Sequence, residues 1–268
     1  MKVMVSTIPF RGTSYQLLLI LCVLCASAVG LLLAQEEKPP KTIQVDTWVT
    51  YQIKRSEKQG AAFTTVWTSE LKISILSEER LPRSKEKYYW VELVANEKAK
   101  DSRVVKFLID SSGKPVLEKL IIKHPDLNPV EIDLKIWSAK TNISPEQLFQ
   151  EMVGNFLVVP FTPPETNPVR TEQINLKATP KGGSASGMIK GKDKIVESQR
   201  YLVEKEKEVA KLWFAQDIPF PGLAKMLIFS ADGERYYQTQ IILVDYDTKG
   251  AASLIKERPM KLEFKEGK

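Results

Sequence analysis

The chain has 268 residues, 43% of them hydrophobic and 27% charged, with 39 Lys and Arg against 33 Asp and Glu. Its excess of positive charge is mild and spread over mixed runs such as Arg55-Ser-Glu-Lys58 and Lys205-Glu-Lys-Glu208, the pattern of solvated faces. There is no basic patch interleaved with aromatics, so nucleic acid is excluded as an expected partner. With one histidine, His124, and two cysteines, Cys22 and Cys25, a histidine metal cluster and a His/Cys zinc site are excluded too.

Residues 1–16 carry Lys2 and Arg11 and no acidic group, and Leu17 to Ala34 carry no charge at all. A positive leader, an apolar stretch and the small-x-small triplet Ala26-Ser27-Ala28 predict a secretory signal. The stretch is long for a signal and close to the roughly 20 residues that span a bilayer, so residues 1–34 read as a signal peptide or a membrane anchor. Cleavage would follow Ala28 or Ala34, and the positive flank keeps the N-terminus cytoplasmic. The folded part is therefore expected outside the cytoplasm, periplasmic or otherwise extracytoplasmic, touching the membrane only through residues 17–34 if they are retained. Leu21 and Leu24 precede the cysteines where a lipoprotein signal needs a small residue, which argues against lipidation. Both cysteines lie in the apolar stretch, so the exported part forms no disulfide.

Residues 35–44, with Pro39-Pro40, read as a polar tether, and residues 45–268 as a single β-rich domain. Period-two alternation marks strands with one buried face. Val49, Tyr51 and Ile53 oppose Thr50, Gln52 and Lys54, and Trp67, Ser69, Leu71, Ile73 and Ile75 oppose Thr68, Glu70, Lys72 and Ser74. Tyr89 to Ala95 adds a third strand. Val104 to Asp110 and Val116 to Lys123 flank Ser111-Ser-Gly-Lys-Pro115, a hairpin turn with Gly113 at its left-handed position, and Glu131 to Trp137 reads as another short strand.

Ser144-Pro145-Glu146-Gln147 predicts a helix start, with serine as N-cap, proline at the first helical position and glutamine in the capping-box place. Leu148, Phe149, Met152, Val153 and Phe156 follow at helical spacing. Asn142-Ile-Ser144 matches a glycosylation sequon, but Pro145 follows it and Ser144 is taken as the cap. The proline-rich stretch 159–168 cannot run as a helix or a central strand, and joins two meander halves. The second half alternates over Thr171 to Ala178, Ile195 to Glu204, Val209 to Ala215, Ala224 to Phe229 and Tyr236 to Asp245. A flexible glycine-rich loop occupies 181–187, and Ala231-Asp-Gly-Glu234 is a tight turn. The predicted architecture is α+β, mostly β: a large curled antiparallel sheet, or half-barrel, of about ten strands with one or two helices packed on it.

Catalytic equipment is sparse. His124 sits beside Pro125 in a loop, no G-x-S-x-G elbow exists, and the glycines 182, 183, 187 and 191 do not make a P-loop. Asp245 and Asp247 are carboxylates at a strand end without a calcium-loop pattern. No catalytic residue, metal ligand or cofactor is assigned. The most individual segment, Lys211 to Met226, places Trp213 and Phe214 on a strand before a Pro219/Pro221/Gly222 corner. It reads either as a rigid corner plugged by aromatics or as the lip of a hydrophobic groove. In the second reading Trp213, Phe214, Phe220 and Leu223, with Phe149, Met152 and Phe156 from the helix, would meet an acyl chain.

This segment and Gly250-Ala-Ala-Ser-Leu-Ile255 resemble stretches of exported bacterial proteins whose layout is similar to the lipoprotein-carrier superfamily of LolA, LolB and LppX. The resemblance implies a curved antiparallel sheet wrapped round a hydrophobic cavity lidded by helices, although those carriers usually have several helices. Three functions follow as expectations. The first is a non-catalytic binding protein holding a lipid or lipoprotein acyl chain on the curved sheet. The second is an envelope module that binds other envelope proteins and has a filled core. The third is a carboxylate-dependent hydrolase.

Overall fold

The computed structural model describes residues 42–82, 84–97, 102–154, 156, 159–176, 194–205, 207–232 and 235–262. The chain divides into two units, residues 1–40 and 41–268, and the first lies outside the described residues, as does the glycine-rich loop at 181–187. Among the described residues no helix is long and apolar enough to cross a membrane.

The second unit is a twelve-stranded sheet, curled and unclosed. In chain order come β1 (Thr47–Gln59), β2 (Ala62–Glu79), β3 (Tyr88–Ala95), β4 (Arg103–Ile109), β5 (Pro115–Lys123) and β6 (Val130–Asp133). Helices α1 (Leu134–Thr141) and α2 (Pro145–Val153) follow, then β7 (Arg170–Leu176), β8 (Lys194–Lys205), β9 (Glu208–Phe214), β10 (Leu223–Asp232), β11 (Arg235–Asp247) and β12 (Met260–Lys261). Their order across the sheet is β12-β6-β5-β4-β3-β2-β1-β11-β10-β9-β8-β7, antiparallel throughout except for the short β12–β6 pair. Each half of the chain is thus a meander, and the halves are zipped together by β1 and β11, from Trp48 opposite Asp247 to Glu57 opposite Tyr237.

The alternation in the sequence sets the two faces. Val49, Tyr51 and Ile53 of β1, Leu71, Ile73 and Ile75 of β2, Val91 and Leu93 of β3, and Val105 and Phe107 of β4 are buried in one cluster. It continues through Leu212 and Phe214 of β9 and Ile241, Leu243 and Tyr246 of β11. Register shifts at Thr50/Tyr51 and at Arg55/Ser56 insert an extra residue opposite β1, and such bulges bend and twist a strand. The β4–β5 turn is tied by Asp110, whose carboxylate accepts from the backbone N–H of Ser112 and Lys114 at 2.8 and 3.0 Å. Gly113 takes φ +85°, as the turn requires.

Because β6 and β7 lie near opposite edges of the sheet, residues 134–169 must travel from one edge to the other. They do so along the clustered face: Leu134, Leu148, Phe149, Val153, Phe156 and Val159 all join that core. Helix α2 starts where the sequence places it, Ser144 Oγ accepting from the Gln147 N–H at 3.2 Å. The Gln147 side chain completes no capping box and instead donates to Glu151 at 3.1 Å. Helix α1 replaces the second part of the strand expected at 131–137. Asp133 caps it by accepting from the Ile136 N–H at 2.9 Å, and a side chain that closes a helix N-terminus ends the strand before it.

After β11 the chain turns onto the opposite face of the first meander. Gly250 N–H donates to Asp46 Oδ1 at 2.9 Å, Lys123 pairs with Glu257 at 2.7 Å, and Met260 comes to lie opposite Val130 of β6. Midway, the Ser253 hydroxyl and the Leu254 N–H donate to the two oxygens of Glu92, at 2.5 and 2.8 Å. Glu92 is completely buried, and a buried carboxylate persists only when its oxygens are satisfied in this way. Residues 248–262 are therefore a strap across the outer face. The Gly250–Ile255 run singled out in the sequence is its first half.

Candidate functional site

The inner face lies between the curled sheet and the crossing segment. At its centre Phe107 of β4 meets Phe149 of α2 edge-on, with ring centroids 5.1 Å apart, and stacks on Phe161 of the proline-rich stretch at 6.1 Å. Phe161 in turn meets Phe220, in the corner between β9 and β10, at 5.4 Å. These four rings carry contact from the first meander, through the crossing segment, to the second. Such ring pairs contribute about 0.5–1.5 kcal/mol each beyond burial of their area.

The corner holding Phe220 is built by Pro219, a cis Phe220–Pro221 bond and Gly222, whose N–H donates to the Pro219 carbonyl at 2.7 Å. Tyr51, wholly buried on β1, donates its hydroxyl to the Leu223 carbonyl at 2.9 Å and so fastens the corner to the centre of the sheet. Burial pushes the Tyr51 phenol far above its ordinary ionisation range. At the far side, Tyr201 meets Phe214 edge-on at 5.8 Å, and the Lys194 ammonium donates to the Tyr246 hydroxyl and lies over its ring.

Of the residues expected to line a groove, Phe149, Phe156, Phe214, Phe220 and Leu223 are brought together in this core, and Met152 packs against it half-buried. Trp213 is not with them. Neighbouring residues of a strand point to opposite faces, so Trp213 lies across the sheet from Phe214. There its indole N–H donates to Glu172 Oε2 at 2.8 Å, and Lys225 covers its ring at 5.3 Å. The Trp213 hydrogen bond is the main cause of a lowered Glu172 pKa, with Arg170 and Arg200 adding to it and burial opposing it.

Sequence reasoning missed Phe107 and Phe161 as site residues. Phe161 was hidden in a stretch whose prolines made it read as a mere connection. Asp245 and Asp247, the paired carboxylates at the strand end, accept from backbone N–H groups of Tyr246, Thr248 and Lys249. His124 opens a turn, its carbonyl accepting from the Leu127 N–H at 3.2 Å. Among the described residues no three His, Cys, Asp or Glu side chains converge as a metal site would need.

No family model matches the chain, and no curated protein matches it. Among solved structures it is similar to a "Beta-barrel-like Protein of Domain of Unknown Function DUF1849 from Brucella abortus", at 12% identity and a TM-score of 0.16, over 77% of this chain and 98% of that one.

Proposed function

We propose that the chain is an exported, non-catalytic binding protein that takes up an apolar chain, of a lipid or a lipoprotein, between its curled sheet and the crossing segment 134–169. The observation that carries the reading is how that segment is held. It covers an apolar face through side chains such as Leu148, Phe149, Val153 and Phe161, while the backbone bonds of Asn142, Leu148, Gly154 and Phe156 close within the segment itself and its last residue, Val169, donates to the Arg200 carbonyl of β8 at 2.7 Å. Burial of each such side chain stabilises the closed form by about 1.5–3 kcal/mol, and an acyl chain offers the same apolar area in exchange. A cover that trades one apolar partner for another, hinged where Val169 joins the β7–β8 ladder, is what reversible uptake needs. On the resemblance to the lipoprotein carriers, residues 134–169 would take the place of the lid.

The continuous chain Phe149–Phe107–Phe161–Phe220 favours a second reading, an envelope interaction module whose interior stays filled. Native mass spectrometry of residues 41–268, purified from a bacterial periplasm and then mixed with a fluorescent fatty acid, separates the two. The lid reading expects one lipid per chain and probe displacement. A chain that stays lipid-free in both states refutes uptake and leaves the filled module.

A further inference from the structure

Strand β2 is the longest of the sheet, with eighteen residues, and only its second half lies between two neighbours. Strand β1 pairs with it from Ala62 to Ile75, whereas β3 pairs with it only from Leu71 onward. Asn96, at φ 51°, ends that second ladder. Its N–H donates to the Glu70 carbonyl at 2.9 Å, and its side-chain oxygen accepts from the Glu70 N–H and the Ser69 hydroxyl, both at 3.0 Å. Among the described residues no strand lies along the other side of residues 62–69, and all seven from Ala62 to Thr68 are exposed. Seven extended residues offer about 23 Å of edge, whose outward N–H and C=O groups only water or another strand can satisfy.

Exposed edges are ordinarily blunted by charge, by shortness or by proline. The outer edges of this sheet follow that rule: β12 has two residues, and β7 carries Arg170 and Glu172. The open part of β2 does not. Ala62-Phe-Thr-Thr-Val-Trp-Thr-Ser69 has no charge, no proline and no glycine, and every residue between its ends is β-branched or aromatic. Phe63, Val66 and Trp67 are 42%, 51% and 50% exposed. The one irregularity is a bulge at Val66, the extra residue between Thr65, opposite Ser56, and Trp67, opposite Arg55. A bulge twists an edge, and two copies of the same edge twist alike.

The flanking charges select the strand that fits. Lys58 lies opposite Phe63 at one end of the open stretch, its ammonium over the Tyr236 ring at 5.4 Å, and exposed Glu70 closes the other end. Glu57, beside Lys58, is turned to Arg235 at 3.9 Å. Set antiparallel against itself, the stretch brings the Lys58 end of one copy to the Glu70 end of the other, twice, with no charge on either edge strand between. Shape agrees, because β2 overruns the end of β3 and leaves a step, and a two-fold axis fits one such step into another. We propose that the open edge of β2, residues 62–69, pairs antiparallel with the same edge of a second copy of this chain, joining two twelve-stranded sheets. This contact is independent of whether the interior takes up a lipid.

The test uses residues 41–268, which contain every residue of the core and lack the apolar leader. Sedimentation equilibrium up to about 100 µM should show monomer and dimer and nothing larger, because a small two-fold contact is weak and closes on itself. Amide exchange at residues 62–69 should slow as the concentration rises. Val66→Lys places a cation on each side of the axis and should weaken association about tenfold or more at unchanged Tm. Val66→Glu should do the same, and an equimolar mixture of the two variants should restore the dimer. A chain that stays monomeric overturns the proposal, as does a dimer that neither variant weakens. A monomer that nonetheless captures a labelled peptide of residues 62–70 overturns it too, and assigns the edge to a strand of another protein.

Discussion

Tyr51 shows how one side chain ties distant parts of this fold together. Its ring fills the centre of the sheet and its hydroxyl holds the carbonyl of Leu223, 172 positions along the chain. Tyr51→Phe keeps the ring and removes the bond, leaving a buried carbonyl without its partner, so stability should fall by about 1–2 kcal/mol in urea denaturation. The same residue shapes the alkaline limb of the stability curve. Its folded pKa is raised by burial, so below about pH 10 the phenol is neutral in both states and contributes no pH dependence. Above about pH 10 the unfolded chain loses the proton while the folded chain keeps it, and stability should drop by about 1.4 kcal/mol per pH unit. Denaturation midpoints between pH 9 and 11 should therefore fall less steeply for Tyr51→Phe than for the parent. Equal slopes would mean that the phenol is not shielded.

Two hairpins make a matched pair at the level of the element. Gly60 and Gly113 both take positive φ, +63° and +85°, but a Cβ at Gly60 would meet nothing within 4 Å. At Gly113 it would meet Phe220 Cε2 at 3.0 Å and Thr162 Cγ2 at 3.2 Å, since this turn packs on the crossing segment and the β9–β10 corner. Gly60→Ala should cost about 1 kcal/mol from backbone strain alone. Gly113→Ala adds a clash with the buried Phe220 ring and with Thr162 and should cost about 1–3 kcal/mol more, read as the difference between the two denaturant midpoints. Elements such as these were largely readable in the chain: the period-two runs, the Gly113 turn and the Ser144 cap all stand where local chemistry puts them. The helix at 134–141 was not, because Ile132, Leu134 and Ile136 alternate with polar residues as a strand would. Asp133 was the available signal, an N-cap residue in mid-run. The groove assignment failed to separate Trp213 from Phe214, although adjacent strand residues must face opposite ways. The Phe107–Phe161 stack lies beyond any local pattern, since it depends on where the crossing segment lands.

At the scale of the molecule, the two meanders are not independent. The ladder between β1 and β11 joins residues nearly a whole domain apart in sequence, and both contribute Val49, Tyr51, Leu243 and Tyr246 to one core. Residues 41–133 expressed alone would expose β1 as a long edge and half of that core, and should be unfolded or aggregated by circular dichroism and gel filtration. Cooperative melting of that fragment would count against a single folding unit. Pairings of this separation also make folding slow, because the chain must close a large loop before the contacts reward it. Strand β1 has one more consequence. It enters the sheet at Thr47 and runs to Gln59, and thirteen extended residues measure up to about 43 Å. Strand β1 is therefore a spacer: whatever grips the chain just ahead of Thr47 and whatever meets the β1–β2 turn are held apart by up to the length of one strand.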